Sequence, residues 1–303
     1  MVSTVQVRRD DPVWWIGLDR PGKRNALDQA MVDEIGAVLA EARQEPSVLI
    51  VHSTTPGMFA AGADIAELRE RDADAALLAI NAGLFDQLDA HRWPTIALID
   101  GPASGGGCEL ALACDLRLAS EQAVFAQPEL ALGILAGAGA NWRLPQLAGI
   151  GVARRMLYTG LRLGARDALA AGLVDEITED LPGRGRELAT AIASRSWRAL
   201  ELTKLALRSQ RPATTAFDLA AQALLFNSQD KHDRMTAFLE RRDPHDRSYP
   251  RGSPHGRTRL ALPGISHRAR PPGPNWCGAD PRTPQRPRRR SSSRWSSIFL
   301  TPP

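Results

Sequence analysis

Residues Ser104–Asp115 read SGGGCELALACD: three glycines, Gly105–Gly107, run into one glutamate, Glu109, which opens a run of small apolar residues. The stretch follows TIALIDG (Thr95–Gly101), a continuous apolar segment of the kind buried on both faces of a sheet. A strand that ends near Asp100, turns, and passes through glycines into a helix exposes the first N–H groups of that helix. Those groups have no intrahelical partner and sit at the positive end of the helix dipole. Glycine has no Cβ, so a ligand oxygen can approach such a backbone closely. The arrangement suits a phosphate or a developing oxyanion. Glu109 also has a plainer reading, because a carboxylate in the first turn steadies a helix start by about 0.3–1 kcal/mol.

Two other segments share this grammar. FAAGADI (Phe59–Ile65) follows the apolar strand SVLIVH (Ser47–His52) and leads into a helix, so its N–H groups can face the same point from another side. FAQPELALG (Phe125–Gly133) puts Glu129 after Pro128 and before apolar residues. A carboxyl buried among such neighbours holds its proton more tightly, although Pro-Glu is also a common helix start. Further out, TVQVR (Thr4–Arg8) and VWWIGLD (Val13–Asp19) read as short strands. Strand alternation would send one of Trp14 and Trp15 to the core and the other outward. Asp28–Arg43 carries Met31, Ile35, Val38, Leu39 and Ala42 at helical spacing. A second helix is expected over Ala73–His91, stopped by Pro94, and DLRLAS (Asp115–Ser120) reads as a strand. Beyond Leu147 the pattern is mostly helical, over Gly151–Gly160, Ala165–Val174, Gly185–Arg208 and Thr214–Arg242. Strands first and helices last indicate an α/β core with a helical C-terminal region.

Composition bounds the rest. With 303 residues, 43% of them hydrophobic, the chain can build a sizeable core. Its net charge of +4 is uneven: Asp243–Pro303 holds twelve Arg, no Lys and three Asp, a net +9, which leaves −5 for the residues before it. The pI therefore says nothing of nucleic-acid binding by the body. That same segment holds 12 of the 22 prolines and no sustained apolar period, so disorder is expected there; its basic run suits a nucleic acid or a membrane surface, and the plainer reading is a tail with no evolved role. No transmembrane, secretory or mitochondrial segment is evident. Three irregularly spaced cysteines, Cys108, Cys114 and Cys277, argue for a reducing compartment, and Cys108 reads as a small buried hydrophobe. The histidines are scattered, with nothing placing one beside a Ser or Cys nucleophile.

Taken together, LDRPGKRNALD (Leu18–Asp28), FAAGADIAEL (Phe59–Leu68), PTIALIDGPASGGGCELALACDLRLAS (Pro94–Ser120), FAQPELALGILAGAG (Phe125–Gly139), ARDALAAGLVDEI (Ala165–Ile177) and MTAFLERR (Met235–Arg242) resemble the crotonase superfamily. Within it they are most similar to the enoyl-CoA hydratases, over about residues 13–242. The resemblance implies a crotonase-like α/β spiral of strand–strand–helix units over residues 1–190. A C-terminal helical trimerisation region (191–242) and the basic Pro/Arg-rich tail (243–303) follow.

It also implies that the backbone N–H groups of Ala63 and Gly106 polarise the thioester carbonyl of an acyl-CoA. Glu109 then acts as base toward a water, and Glu129 delivers a proton to the α-carbon. Water adds syn across the 2,3 double bond of a trans-2-enoyl-CoA, giving a 3-hydroxyacyl-CoA in fatty-acid β-oxidation or related acyl-CoA metabolism. Ala26, Ala61, Ala63, Asp64, Ile65, Ala66 and Gly106 would line the path of CoA. Lys23 and Arg24 would lie near its phosphates, unless they are simply solvated loop charges. Arg241 would reach a neighbouring subunit's CoA.

No metal or cofactor is expected beyond the CoA of the substrate. The implied assembly is a cytoplasmic homotrimer or dimer of trimers, without membrane or nucleic-acid partners. Alternatives from the same resemblance are a Δ3,Δ2-enoyl-CoA isomerase using one base and the same oxyanion hole, and a catalytically weak acyl-CoA-binding or RNA-interacting relative. Two departures stand out. LAGAGAN (Leu135–Asn141) has Ala136 where many hydratases have proline, beside an atypical Asn141 and Trp142, which bears on acyl-chain preference. Arg234 replaces a frequent glycine near the expected helical interface.

Overall fold

The computed structural model describes residues 3–208, 222–223 and 225–240. Arg241, the expected disordered tail and most of the first half of the helix expected over Thr214–Arg242 lie outside the described residues.

The chain opens with an antiparallel hairpin of β1 (Val5–Asp10) and β2 (Val13–Leu18), in register from Val5 opposite Leu18 to Asp10 opposite Val13. Helix α1 (Gln29–Ala42) begins where the Asp28 carboxylate accepts the Met31 N–H at 3.0 Å, and it buries Met31, Ile35, Leu39 and Ala42 along one stripe. Strand β3 (Val48–Ser53) returns parallel to β2. Then come α2 (Ile65–Glu70), α3 (Ala73–Leu77), α4 (Ile80–Asp89) and β4 (Thr95–Ile99), parallel to β3. The next units are β5 (Pro102–Ser104), α5 (Gly106–Ala113), β6 (Leu116–Ala119) and β7 (Val124–Ala126). They are followed by α6 (Ala140–Thr159), β8 (Leu163–Gly164), α7 (Ala165–Ala170) and β9 (Glu176–Ile177). Helices α8 (Leu181–Ala193), α9 (Trp197–Arg208) and α10 (Gln229–Leu239) end the described chain. The main sheet has the order β1-β2-β3-β4-β6-β9, and β5-β7-β8 form a smaller one.

Both faces of the main sheet are covered, which explains the continuous apolar runs and corrects one expectation. Trp14 and Trp15 do point to opposite faces, yet both are buried, at 6% and 3% exposure. Trp14 joins the large core beneath α1, α4 and α5, whereas Trp15 joins Val48, Ile50, Leu98 and Leu181 beneath α8. Alternation told the faces apart correctly, but neither face is open to water.

A second correction concerns Ala73–His91, which is two helices and not one. The chain breaks at Ala79, which is left-handed at φ 52°. A single straight helix presents one apolar stripe, but this segment serves two cores. Ala76 of α3 packs with Leu68, Phe226 and Met235, while Leu84, Phe85 and Leu88 of α4 enter the main core. Likewise Gly185–Arg208 divides into α8, which covers the sheet, and α9. The latter is tied back by buried Lys204, whose Nζ donates to Asp115 at 2.6 Å and to the Trp93 carbonyl at 3.1 Å.

Candidate active site

Three strand-to-helix turns meet at one place. The loop after β3 is fixed from both sides. Asn25 donates from Nδ2 to the Phe59 carbonyl at 2.9 Å, and Ala61 N–H donates to the Arg24 carbonyl at 3.0 Å. Leu27 N–H donates to Gly62 O at 2.7 Å, and Asp64 N–H to Leu27 O at 3.0 Å. The turn between β5 and α5 lies against this loop, with Ser104 N–H donating to Ala60 O at 3.0 Å. Glycine is obligatory at the contact: a Cβ on Gly107 would stand 2.2 Å from Ala60 O, and one on Gly62 (φ 103°) 2.8 Å from Ser104 O.

Among the N–H groups left over are two that belong to residues of one cavity wall. Those of Ala63 and Gly106 have no acceptor among the described residues. They are close to one another, since a Cβ on Gly106 would lie 3.4 Å from Ala63 N. Gly106 is the first residue of α5, and an N–H in that position has no intrahelical partner.

Both residues line a cavity of about 110 Å³, together with Ala61, Ile65, Glu109 and Glu129. Glu109 and Glu129 are 3% and 9% exposed, so the carboxyls are largely withdrawn from water. Their surroundings differ. Glu109, in the first turn of α5, accepts from the Ala138 and Ala140 N–H groups at 2.8 and 3.0 Å through Oε1. Those amides belong to the LAGAGAN loop and the start of α6. Bonds of this kind are strongest to an ionised carboxylate. Glu129 opens a short 3₁₀ turn (Glu129–Leu132) after Pro128. Buried Gln127, with its amide nitrogen facing Glu129, donates to both Oε1 and Oε2 at 3.0 Å. Burial, then the charge of neighbouring Glu109, raises the Glu129 carboxyl well above the usual range. Glu109 is thus held as an acceptor by two backbone amides, whereas Glu129 binds its proton more tightly than an ordinary carboxyl.

The remaining expected residues divide. Lys23 and Arg24 stand exposed at a 3₁₀ turn, and with Ala26, Asp64 and Ala66 they are off the cavity wall. The Asp64 carboxylate is turned to another task. It caps α2 through the Ala66 N–H at 3.0 Å and pairs with Arg20 at 2.9 Å. Burial works to raise its pKa, but the Arg20 bond and the cap outweigh that and hold it below the usual value. Arg20 also pairs with Asp28, the cap of α1, at 2.9 Å, and donates to the Ala26 carbonyl at 3.0 Å. One guanidinium therefore locks both helix starts that flank the Ala63 loop, a role the sequence reading missed. Arg20→Met is expected to cost about 3 kcal/mol, because it strands two largely buried carboxylates. Urea unfolding measures this, and a loss below about 0.5 kcal/mol would remove the locking role.

Cys108 is fully buried, and burial followed by the charges of Glu129 and Glu109 pushes its thiol upward, so it is no nucleophile. Among the described residues, no cluster of His, Cys, Asp and Glu is arranged to hold a metal ion, and no helix is long and apolar enough to cross a membrane.

This mixed α/β arrangement of strand–helix units with a helical C-terminal region is the crotonase-superfamily fold. Residues 8–248 match the enoyl-CoA hydratase/isomerase family. The chain is 34% identical over 251 residues to the short-chain-enoyl-CoA hydratase of Clostridium acetobutylicum, covering 80% of this chain and 96% of that protein. It is 36% identical over 250 residues to the 2,3-dehydroadipyl-CoA hydratase of Escherichia coli, with coverage of 80% and 98%. The crystal structure of an enoyl-CoA hydratase from Mycobacterium avium subsp. paratuberculosis superposes with a TM-score of 0.71 at 28% identity, covering 80% of this chain and 98% of that one. The chain belongs to the enoyl-CoA hydratase/isomerase family.

Proposed function

We propose that this protein is an enoyl-CoA hydratase, adding water syn across the 2,3 double bond of a trans-2-enoyl-CoA. The observation that carries the reading is the pairing, on one cavity wall, of two unpartnered amides with two buried carboxyls, one held by backbone amides and the other with raised proton affinity. The thioester oxygen accepts from Ala63 and Gly106 N–H. As water attacks the β-carbon it gives a proton to Glu109, and charge moves onto the thioester oxygen. The amides are fixed beforehand, so they favour this enolate-like state over the ground state. Glu129 then protonates the α-carbon, and transfer of the proton from Glu109 back to Glu129 resets the pair.

The chemistry draws on no cofactor beyond the CoA of the substrate. CoA would run along Ala61–Ala66, with Lys23 and Arg24 toward its phosphates. The assembly would be a cytoplasmic homotrimer or dimer of trimers serving acyl-CoA breakdown. Leu202, Leu205 and Leu207 of α9 are exposed and suit packing between subunits.

Purified protein mixed with crotonyl-CoA is expected to bleach the enoyl-thioester absorbance and yield 3-hydroxybutyryl-CoA. Turnover of a 3-enoyl-CoA to its 2-enoyl isomer without hydration would replace this reading with isomerisation. Binding without either reaction would leave only an acyl-CoA-binding protein.

A further inference from the structure

The break between α3 and α4 sets one more polar group beside the two amides. Ala79 is left-handed there, and α4 opens after it with no side chain capping its first N–H groups. Its first three residues, Ile80, Asn81 and Ala82, all line the cavity. A second helix N-terminus, with its positive dipole end, therefore meets the space that already receives the start of α5.

Asn81 reaches the thioester end of that space. Its Nδ2 lies 3.6 Å from the point that a Cβ on Gly106 would occupy, and Ala63 N lies 3.4 Å from the same point. The Gly106 nitrogen is attached to the atom that would carry this Cβ, so three nitrogens surround one small volume. Nδ2 has no acceptor among the described residues. Oδ1 is withdrawn from water and has no partner either. The orientation that turns the amide nitrogen toward Gly106 is thus rewarded by no bond inside the described chain. It also leaves a buried acceptor unpaired, which is rare enough to call for a reason. A leucine of similar size would avoid that cost.

The thioester oxygen supplies the reason. A carbonyl oxygen has two lone pairs, and the Ala63 and Gly106 N–H groups take both. As water attacks the β-carbon, the oxygen becomes enolate-like and gains a third. A third donor then meets a lone pair that the ground-state substrate did not offer, so it acts on the transition state and little on binding. We propose that the Asn81 amide is this donor and forms, with the Ala63 and Gly106 amides, a three-point oxyanion hole. This rests on the hydratase reading and adds a catalytic residue to it.

Asn81→Leu keeps the size and removes the donor. It should melt no lower than the parent, since it breaks no bond within the described residues. Its kcat for crotonyl-CoA is expected to fall by about 10–10²-fold, the effect of one hydrogen bond to a charged oxygen. Affinity for saturated butyryl-CoA should stay within about threefold of the parent. A second readout needs no turnover. Bound acetoacetyl-CoA can ionise to an enolate that absorbs in the near ultraviolet, and its titration reports how well that charge is held. Asn81→Leu should make the bound ketothioester about tenfold harder to ionise, so the titration moves to higher pH. Asn81→Ala repeats the comparison if leucine does not fit the helix start. A titration that neither variant moves would overturn the inference, whether or not kcat falls. If the parent hydrates nothing yet the titration moves as expected, the hydratase reading falls and the third donor stands.

Discussion

Glu129→Gln is expected to lower kcat for crotonyl-CoA hydration by about 10²–10⁴-fold while leaving the protein folded, and Glu109→Gln to do the same. The reasons differ between the two. Glutamine at 129 has no proton for the α-carbon. Glutamine at 109 still offers Oε1 to the Ala138 and Ala140 amides, so the loop stays in place, but it is too weak a base to take a proton from water. Stability should separate the variants further. Burial and the Glu109 charge raise the folded pKa of Glu129, so the folded state binds this proton more tightly than the unfolded chain does. The associated stability is fully present below the unfolded pKa and is lost as pH rises through the folded one. Glutamine has no such titration. Glu129→Gln should therefore melt higher than the parent at about pH 8, with the gap closing near about pH 4. The parent's kcat/KM should also decline on the alkaline side, as its acid loses the proton. A Glu129→Gln protein that matches the parent in both rate and melting profile would refute the assignment of the acid.

The parts legible beforehand were those written in local pattern. Asp28 followed by Met31, Ile35, Leu39 and Ala42 specifies a capped helix with one buried stripe. The apolar runs of β3 and β4 are continuous because helices cover both sheet faces. Glycines that end a strand and enter a helix mark free amides whatever their neighbours are. Other features carry no local mark. The break at Ala79 lies among good helix formers, and two cores pulling on one segment impose it. Arg20 acts across 44 residues on Asp64, and nothing periodic in RPGKRN announces that reach. The donors that hold Glu109 are backbone amides of two alanines, so side-chain identity could not reveal them. Asn81 looks like an ordinary surface polar residue until the fold turns it to the cavity.

Gly106→Pro tests the amide itself, which ordinary side-chain exchange leaves intact. Proline has no N–H, and its fixed φ suits the first position of a helix, which is where Gly106 stands in α5. That N–H donates to no acceptor among the described residues, so the fold loses no internal bond when it goes. A Cβ at this site makes only ordinary contacts, with Ala63 N at 3.4 Å and with Asn81 Nδ2 and Leu27 Cδ1 at 3.6 Å. The substitution thus removes one of two backbone donors from the thioester oxygen at little cost to the helix. Preorganised donors act most on the charge that develops during reaction, so kcat should fall by about 10²–10³-fold, or roughly 2.7–4 kcal/mol. Affinity for a saturated acyl-CoA should fall much less, because the ground-state carbonyl carries less charge than the enolate. Thermal unfolding reports whether the helix start survives. If the variant melts like the parent and turns over within about threefold of it, the oxygen is not held at Gly106, and the cavity polarises its substrate elsewhere.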